Sequence, residues 1–411
     1  MNKAHNLEDA ILNLDPAHPL TREERDFFVE RDHSERRDMS GYLRVLAKKS
    51  ETYARFLFTG HRGAGKGTEL NRLHEELLDT YCIAHFSVRD KLEVSDLEYR
   101  DVVFAIGMGI VQLVEQNEKL TEAVDRKMLQ PIIDFFAEIY KDEEFKAQFG
   151  AGLELKPTLL NILTGYARYG TERTTRQTVR KKISGSLNTL AKAIDDLARW
   201  IERTTEKKIL VIVEDLDKAD IEKARELFFE HSQTLAFLPV HLIYTFPVAL
   251  RHSNEFTQIT AYFENYDLPN IKTHTRDNQP VVTTILEEIL KKRVSEGLFE
   301  AGVLALLAQK SGGLIRSLIS LANDACLQAV VAGKLSVSLQ NVLTAAAKVR
   351  ATYVRMLTPE QIARLKEISQ TKKINNTALD RELLANLSIL EYRNDDPNPW
   401  YDVHPIVQEL L

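Results

Sequence analysis

The 411-residue chain has little cysteine: Cys82 and Cys326 are too few for a disulfide framework. Each sits in an apolar run, one strand-like and one helix-like, and reads as an inert core thiol in a reducing compartment. Charge of one sign is also scarce. A net charge of −6 with 28% charged residues carries no global polyanion-binding signature, so nucleic-acid contact requires a local patch. Long apolar runs are missing, and the most apolar helix candidate, Val102–Val114, is too short to span a membrane. The opening MNKAHNLEDAILNLDP has no signal-peptide core, and a soluble cytoplasmic protein is expected. Spaced Cys/His clusters, Ser-His-Asp sets, repeats and low-complexity tracts do not stand out, and His404 reads as structural. The length and 44% hydrophobic content predict two or three domains with a sizeable core.

What is present is a glycine loop in the right setting. Phe56-Leu57-Phe58 reads as a buried strand, and Glu69–Leu78 has helical periodicity. Between them run Gly60, His61, Arg62, Gly63, Ala64, Gly65, Lys66, Gly67 and Thr68, the strand–loop–helix order of a phosphate-binding loop. Glycines let backbone N–H groups turn inward around phosphate oxygens, and the following helix aims its positive dipole end at the same anion. Lys66 supplies a mobile charge for the outer phosphates. The motif wants Ser or Thr directly after the lysine, as an Mg²⁺ ligand; here that residue is Gly67, and Thr68 is the nearest hydroxyl. Two readings follow. In one, the metal is held largely by water and phosphate, as in adenylate-kinase-like G-K-G-T loops. In the other, the site binds nucleotide without turnover.

The strongest strand is Lys208–Asp217, whose five consecutive aliphatics predict the centre of a parallel sheet. Acidic residues, among them Glu214 and Asp215, appear at its carboxyl end, the edge where ligands bind in such sheets. Glu214 stands in the metal position, acting through water, and Asp215 in that of the catalytic base or water-orienting group. The simpler alternative is that both acids cap the next helix. Thr245, at the end of the next strand, is placed to sense the γ-phosphate. Arg316, in SGGLIRSL, can supply charge from a lid, and Arg251 is the candidate arginine finger toward a neighbouring subunit. Arg173, Arg176 and Arg180 share a helical face suited to a phosphate backbone or an acidic partner, although a solvated face is the plainer reading.

Five strands interleaved with helices predict an α/β parallel sheet: residues 56–58, 81–88, 208–217, 240–246 and 261–268. A short strand over 27–32 and helices over 34–49, 96–115, 122–149, 158–168 and 173–206 complete the first half. The domains expected are a helical lead-in at 1–50, a core at 51–275 with a helical insertion about 120–206, a helical lid at 276–350 and a winged helix at 351–411.

GHRGAGKGTEL, ILVIVEDLDK, the strand ending YTFP, SGGLIRSL and the terminal YDVHP together resemble the AAA+-like STAND ATPases. That resemblance implies a five-stranded P-loop core of order 5-1-4-3-2, an all-α lid bearing Arg316 and a winged helix. It further implies ATP and Mg²⁺ as cofactors, a homo-oligomer and a separate effector protein. The activity it implies is an ATP-hydrolysing switch of the kind used in bacterial anti-phage defence. A DNA-handling ATPase and a nucleotide-binding scaffold without turnover are the alternatives. The wing stretch DDPNPWYD, with three acids and no Lys or Arg beyond the preceding Arg393, counts against DNA.

Overall fold

Strand β3 (Lys208–Glu214) buries both of its faces: Ile209, Val211 and Val213 join one apolar cluster, Leu210 and Ile212 another. Such a strand needs partners on both edges and helices on both sides. The computed structural model supplies them; it describes residues 2–31, 35–48, 53–90, 92, 96–124, 129–131, 167, 169, 171–393 and 398–411. β1 (Arg55–Gly60), β2 (Tyr81–Ser87), β4 (His241–Pro247) and β5 (Glu264–Asp267) complete a parallel sheet of order β2-β3-β4-β1-β5, the expected 5-1-4-3-2 read from the other edge.

One face is covered by α2 (Glu35–Leu46) and α3 (Lys66–Leu77), through Met39, Leu43, Leu70, Leu73 and Leu77. The other is covered by α4 (Tyr99–Gln116) and α5 (Arg173–Thr205). The helices expected at 122–149 and 158–168 lie almost wholly outside the described residues. β5 is shorter than its apolar pattern predicts, because Tyr262 and Phe263 turn their N–H groups back to Ile259 O. The strand expected at 27–32 is not formed where it is described. Arg22–Phe27 is a 3₁₀ turn, and the segment after it joins no sheet among the described residues.

The lid is built from α6 (Thr284–Arg293), α7 (Val303–Lys310), α8 (Ile315–Val331) and α9 (Leu339–Met356). Its core also takes in Leu7 and Ala10 of α1 (Leu7–Asn13) and Leu14 just after it. Ala4 N–H donates to Arg293 O at 2.9 Å and Asn323 Nδ2 to Ile11 O at 2.7 Å, so the chain starts on the lid and crosses back to the sheet. After α10 (Pro359–Thr371) and α11 (Ala378–Ala385) comes an antiparallel hairpin, β6 (Ile389–Arg393) and β7 (Pro399–Val403). Leu390, Tyr392 and Trp400 lay it against the α2–α3 side of the sheet cluster. The intervening turn at 394–397 is outside the described residues. Among the described residues no helix is long and apolar enough to cross a membrane.

The expected basic face of α5 does not point outward as a unit. Arg180 forks onto Asp101 (2.8 and 2.6 Å) and also meets Glu98 and Asp96, while Arg176 reaches Asp96 at 3.3 Å. Both arginines are buried and Arg173 remains exposed, so the acidic partner of this face lies within the chain. Removing one member of a buried pair leaves the other charge uncompensated. Arg180→Ala should therefore cost about 3–5 kcal/mol in urea unfolding, since Asp101 is fully buried. A loss under about 0.5 kcal/mol, typical of surface positions, would contradict the pairing.

Candidate functional site

The carboxyl ends of β1, β3 and β4 meet beneath the glycine loop. Gly63 (φ +87°) and Gly65 (φ +99°) hold left-handed backbone, where a side chain is strained. The first helical bond of α3 runs from Glu69 N–H to Gly65 O at 3.1 Å. The amides of Lys66, Gly67 and Thr68 lie ahead of it, in the first turn, which is the anion-binding end of a helix.

Lys66 is buried, and its ammonium donates to Gly60 O (2.7 Å) and His61 O (3.0 Å) and pairs with Asp217 Oδ2 at 2.9 Å. Asp217 is as deeply buried. Burial pushes its pKa up, but the Lys66 charge and hydrogen bonds from Lys66 and Thr245 hold it below the usual carboxylate range. Thr245 Oγ1 also accepts from Leu216 N–H at 3.1 Å, so it fastens the turn that carries Asp217. The carboxylate nearest the lysine is thus Asp217, not either acid of the expected pair.

Asp215 and Glu214 line the same cavity in other roles. Asp215 adopts φ +69°, a sparsely populated conformation for a residue with a side chain. Its carboxylate accepts from Ser87 Oγ at 2.8 Å and pairs with Lys218. Glu214 Oε1 accepts from His85 Nε2 at 2.6 Å, and Oε2 points at Gly67. Among the described residues no three His, Cys, Asp or Glu side chains are grouped to hold a metal by themselves. A single carboxylate facing the loop does fit Mg²⁺, which commonly binds through one or two carboxylates plus nucleotide phosphates. Thr68 also lines the cavity.

The cavity measures about 620 Å³. Pro16, Pro19 and Leu20 of the crossing strap and Ile315 and Ile319 of α8 add apolar surface to its lining. α8 docks directly on the loop: Arg316 N–H donates to Gly63 O at 3.0 Å, and its Nε to Pro16 O at 3.1 Å. Arg62 lines the cavity and donates to Asp217 O and Ala219 O. Arg31, buried and pushed down to about 10 by that burial, donates to Ala64 O and Pro269 O, each at 2.7 Å. Arg251 is not brought to its own chain's cavity; it pairs with Asp267 at 2.7 Å and approaches Glu391 at 3.6 Å. His404 caps the short helix Pro405–Gln408, and both cysteines are buried.

Sequence reasoning missed Asp217, His85, Arg31 and the strap. The third acid of EDLD was a visible signal for Asp217. Pro16 and Pro19 signalled only a break, and nothing local indicates which surface they close.

No protein-family model matches the chain, and no curated protein matches it in sequence. Solved structures do resemble its fold at low identity. A Walker-type ATPase of Pyrococcus abyssi is 15% identical with a TM-score of 0.48, over 97% of this chain and 99% of that one. The Aeropyrum pernix Orc1 protein, solved in complex with DNA, is 14% identical with a TM-score of 0.46, over 98% of each chain. The Thermotoga maritima RuvB Holliday junction branch migration motor is 14% identical with a TM-score of 0.39, over 96% of this chain and 92% of that one.

The loop is tied to the C-terminal hairpin by a titratable joint. Glu391 N–H donates to His61 Nε2 at 2.8 Å, which requires a neutral ring. Burial pushes His61 down from 6.5 to about 4, and does the same to His404. Between pH 6.5 and 4 the unfolded chain takes up these protons and the folded chain does not, so stability falls as pH falls through that window. Each such histidine should contribute a slope of about 1.4 kcal/mol per pH unit. Urea unfolding at pH 7.5, 6 and 5 should show the decline, and His61→Asn should reduce the slope by about one proton. An unchanged slope would mean that His61 titrates normally in the fold.

Proposed function

We propose that the chain binds ATP with Mg²⁺ in this cleft and hydrolyses its β–γ bond as an AAA+-like switch. The observation that carries this reading is the buried Lys66, held by Asp217 and two loop carbonyls in a 620 Å³ cavity that apolar strap and α8 residues also line. Phosphates arriving on the first-turn amides of α3 compete with Asp217 for the ammonium. The apolar lining from strap and α8 suits the base. When bound, Mg²⁺ neutralises phosphate charge. Asp215, on its strained turn beside Ser87, orients the attacking water, while Thr245 and Arg316 face the phosphates from β4 and the lid.

A switch needs the site's state to reach other surfaces. Two loop residues are bonded to other units, Gly63 to α8 and His61 to the hairpin. The C-terminal helices and hairpin serve as a winged-helix module that moves with the loop. Homo-oligomerisation, with Arg251 acting on a neighbour once its pairs to Asp267 and Glu391 open, and signalling to a separate effector in the manner of STAND defence ATPases, complete the reading.

ATP at 100 times its Kd should stabilise the chain by about 2.7 kcal/mol. The double variant Lys66→Ala/Asp217→Asn, which avoids stranding a buried carboxylate, should lose that shift. Asp215→Asn keeps a residue that tolerates left-handed backbone, so it should bind ATP while kcat for phosphate release falls at least about a hundredfold. Light scattering should find this variant accumulating as the larger species in ATP. Equal thermal shifts in wild type and double variant would sink the site, and full turnover by Asp215→Asn would sink the catalytic assignment. Duplex-DNA affinity with a steep salt slope would favour a DNA-handling ATPase instead.

A further inference from the structure

Two irregularities lie side by side on the metal side of the cleft. In sequence each reads as a loss: Gly67 stands where a hydroxyl is wanted, and Glu214 where a shorter aspartate is wanted. In space they meet. A Cβ built on Gly67 lies 2.8 Å from Glu214 Oε2 and 3.8 Å from its Cδ. Glu214 is not free to swing aside, because Oε1 is held by His85 Nε2 at 2.6 Å. Pro19 Cβ stands 3.6 Å from the same point and limits room on the strap side. The carboxylate therefore fills the space that a serine or threonine side chain at position 67 would need.

We infer that Gly67 and Glu214 are a matched exchange, in which Glu214 Oε2 replaces the missing loop hydroxyl as the protein oxygen facing the Mg²⁺ of a bound Mg–nucleotide. The inference rests on the nucleotide reading above and deepens it. Mg²⁺ takes hard oxygen ligands, and an anionic carboxylate oxygen serves it at least as well as an alcohol. One side chain, longer by a methylene and tethered to His85, does what a hydroxyl and a shorter acid on separate elements do elsewhere. Gly67 is then a requirement of the site rather than a sign of decay, since any Cβ displaces the carboxylate.

The test uses the full chain as wild type, Gly67→Ser, Glu214→Asp and the double variant. Without nucleotide, serine in the first turn of a helix is ordinarily better than glycine. Gly67→Ser should therefore raise the Tm in the Glu214→Asp background and lower it in the wild type, which reads the clash alone. Calorimetry with ADP, in Mg²⁺ and in EDTA, then reads the metal. Each single variant should lose about tenfold or more of the Mg²⁺-dependent gain in affinity, with EDTA affinity little changed, and the double variant should recover it. A Tm shift of the same sign in both backgrounds, or a full Mg²⁺ gain in Glu214→Asp, overturns the exchange. If the Tm sign reverses but no variant binds ADP or ATP in either buffer, the nucleotide reading fails and the metal assignment falls with it.

Discussion

An ammonium group taken out of water must find a counter-charge, and Lys66 is buried at the end of the glycine loop. Asp217 supplies that charge, and much of the local architecture exists to bring it there. β3 has to end at Glu214, the chain has to turn through the left-handed conformation of Asp215, and Thr245 has to hold Leu216 from the neighbouring strand. Either charge alone would be costly; together with two loop carbonyls they form a stable but exchangeable set. A competing anion can take the ammonium without exposing it.

The loop itself is held by every other part of the molecule. Arg31 takes Ala64 O, Arg316 N–H takes Gly63 O, Glu391 N–H takes His61, and Arg62 reaches the segment after β3. Lid and hairpin also meet each other at Gly312-Gly313. A Cβ on Gly313 would lie 1.8 Å from Ile271 O, one on Gly312 would lie 2.5 Å from Leu390, and Tyr392 OH donates to Gly312 O at 2.8 Å. Both glycines have positive φ, so the joint excludes side chains on steric and conformational grounds together.

How far this was legible in the sequence depended on the range of the interactions. The sheet was readable because burial on both faces writes an unbroken aliphatic run, as in Ile209–Val213, and the glycine loop because its chemistry is local. Lys66, Glu214, Asp215, Thr245 and Arg316 are brought to one cavity from motifs that could be read one at a time. Which acid meets Lys66 could not be read, because it hangs on a turn whose dihedral at Asp215 no periodicity encodes. The inward turn of Arg176 and Arg180 was hidden for a similar reason: their partners, Asp96 and Asp101, lie about 80 residues earlier. The strand expected near residue 28 failed because apolar residues there pack singly rather than in a ladder.

The strap carries a consequence for folding rather than for chemistry. Its bonds close very long loops: Asn13 to Arg293 spans 280 residues, Pro16 to Arg316 spans 300, and Asn323 to Ile11 spans 312. Closure entropy grows only slowly with length, so these contacts cost little more in stability than shorter ones. They do raise contact order, which slows folding. The wall formed by Pro16, Pro19 and Leu20 is held from both sides, since Asn71 Nδ2 of α3 donates to Leu20 O at 2.9 Å and Arg316 Nε of α8 to Pro16 O at 3.1 Å. The cleft is therefore complete only when core, strap and lid are all in place, and whatever binds there stabilises that assembled chain.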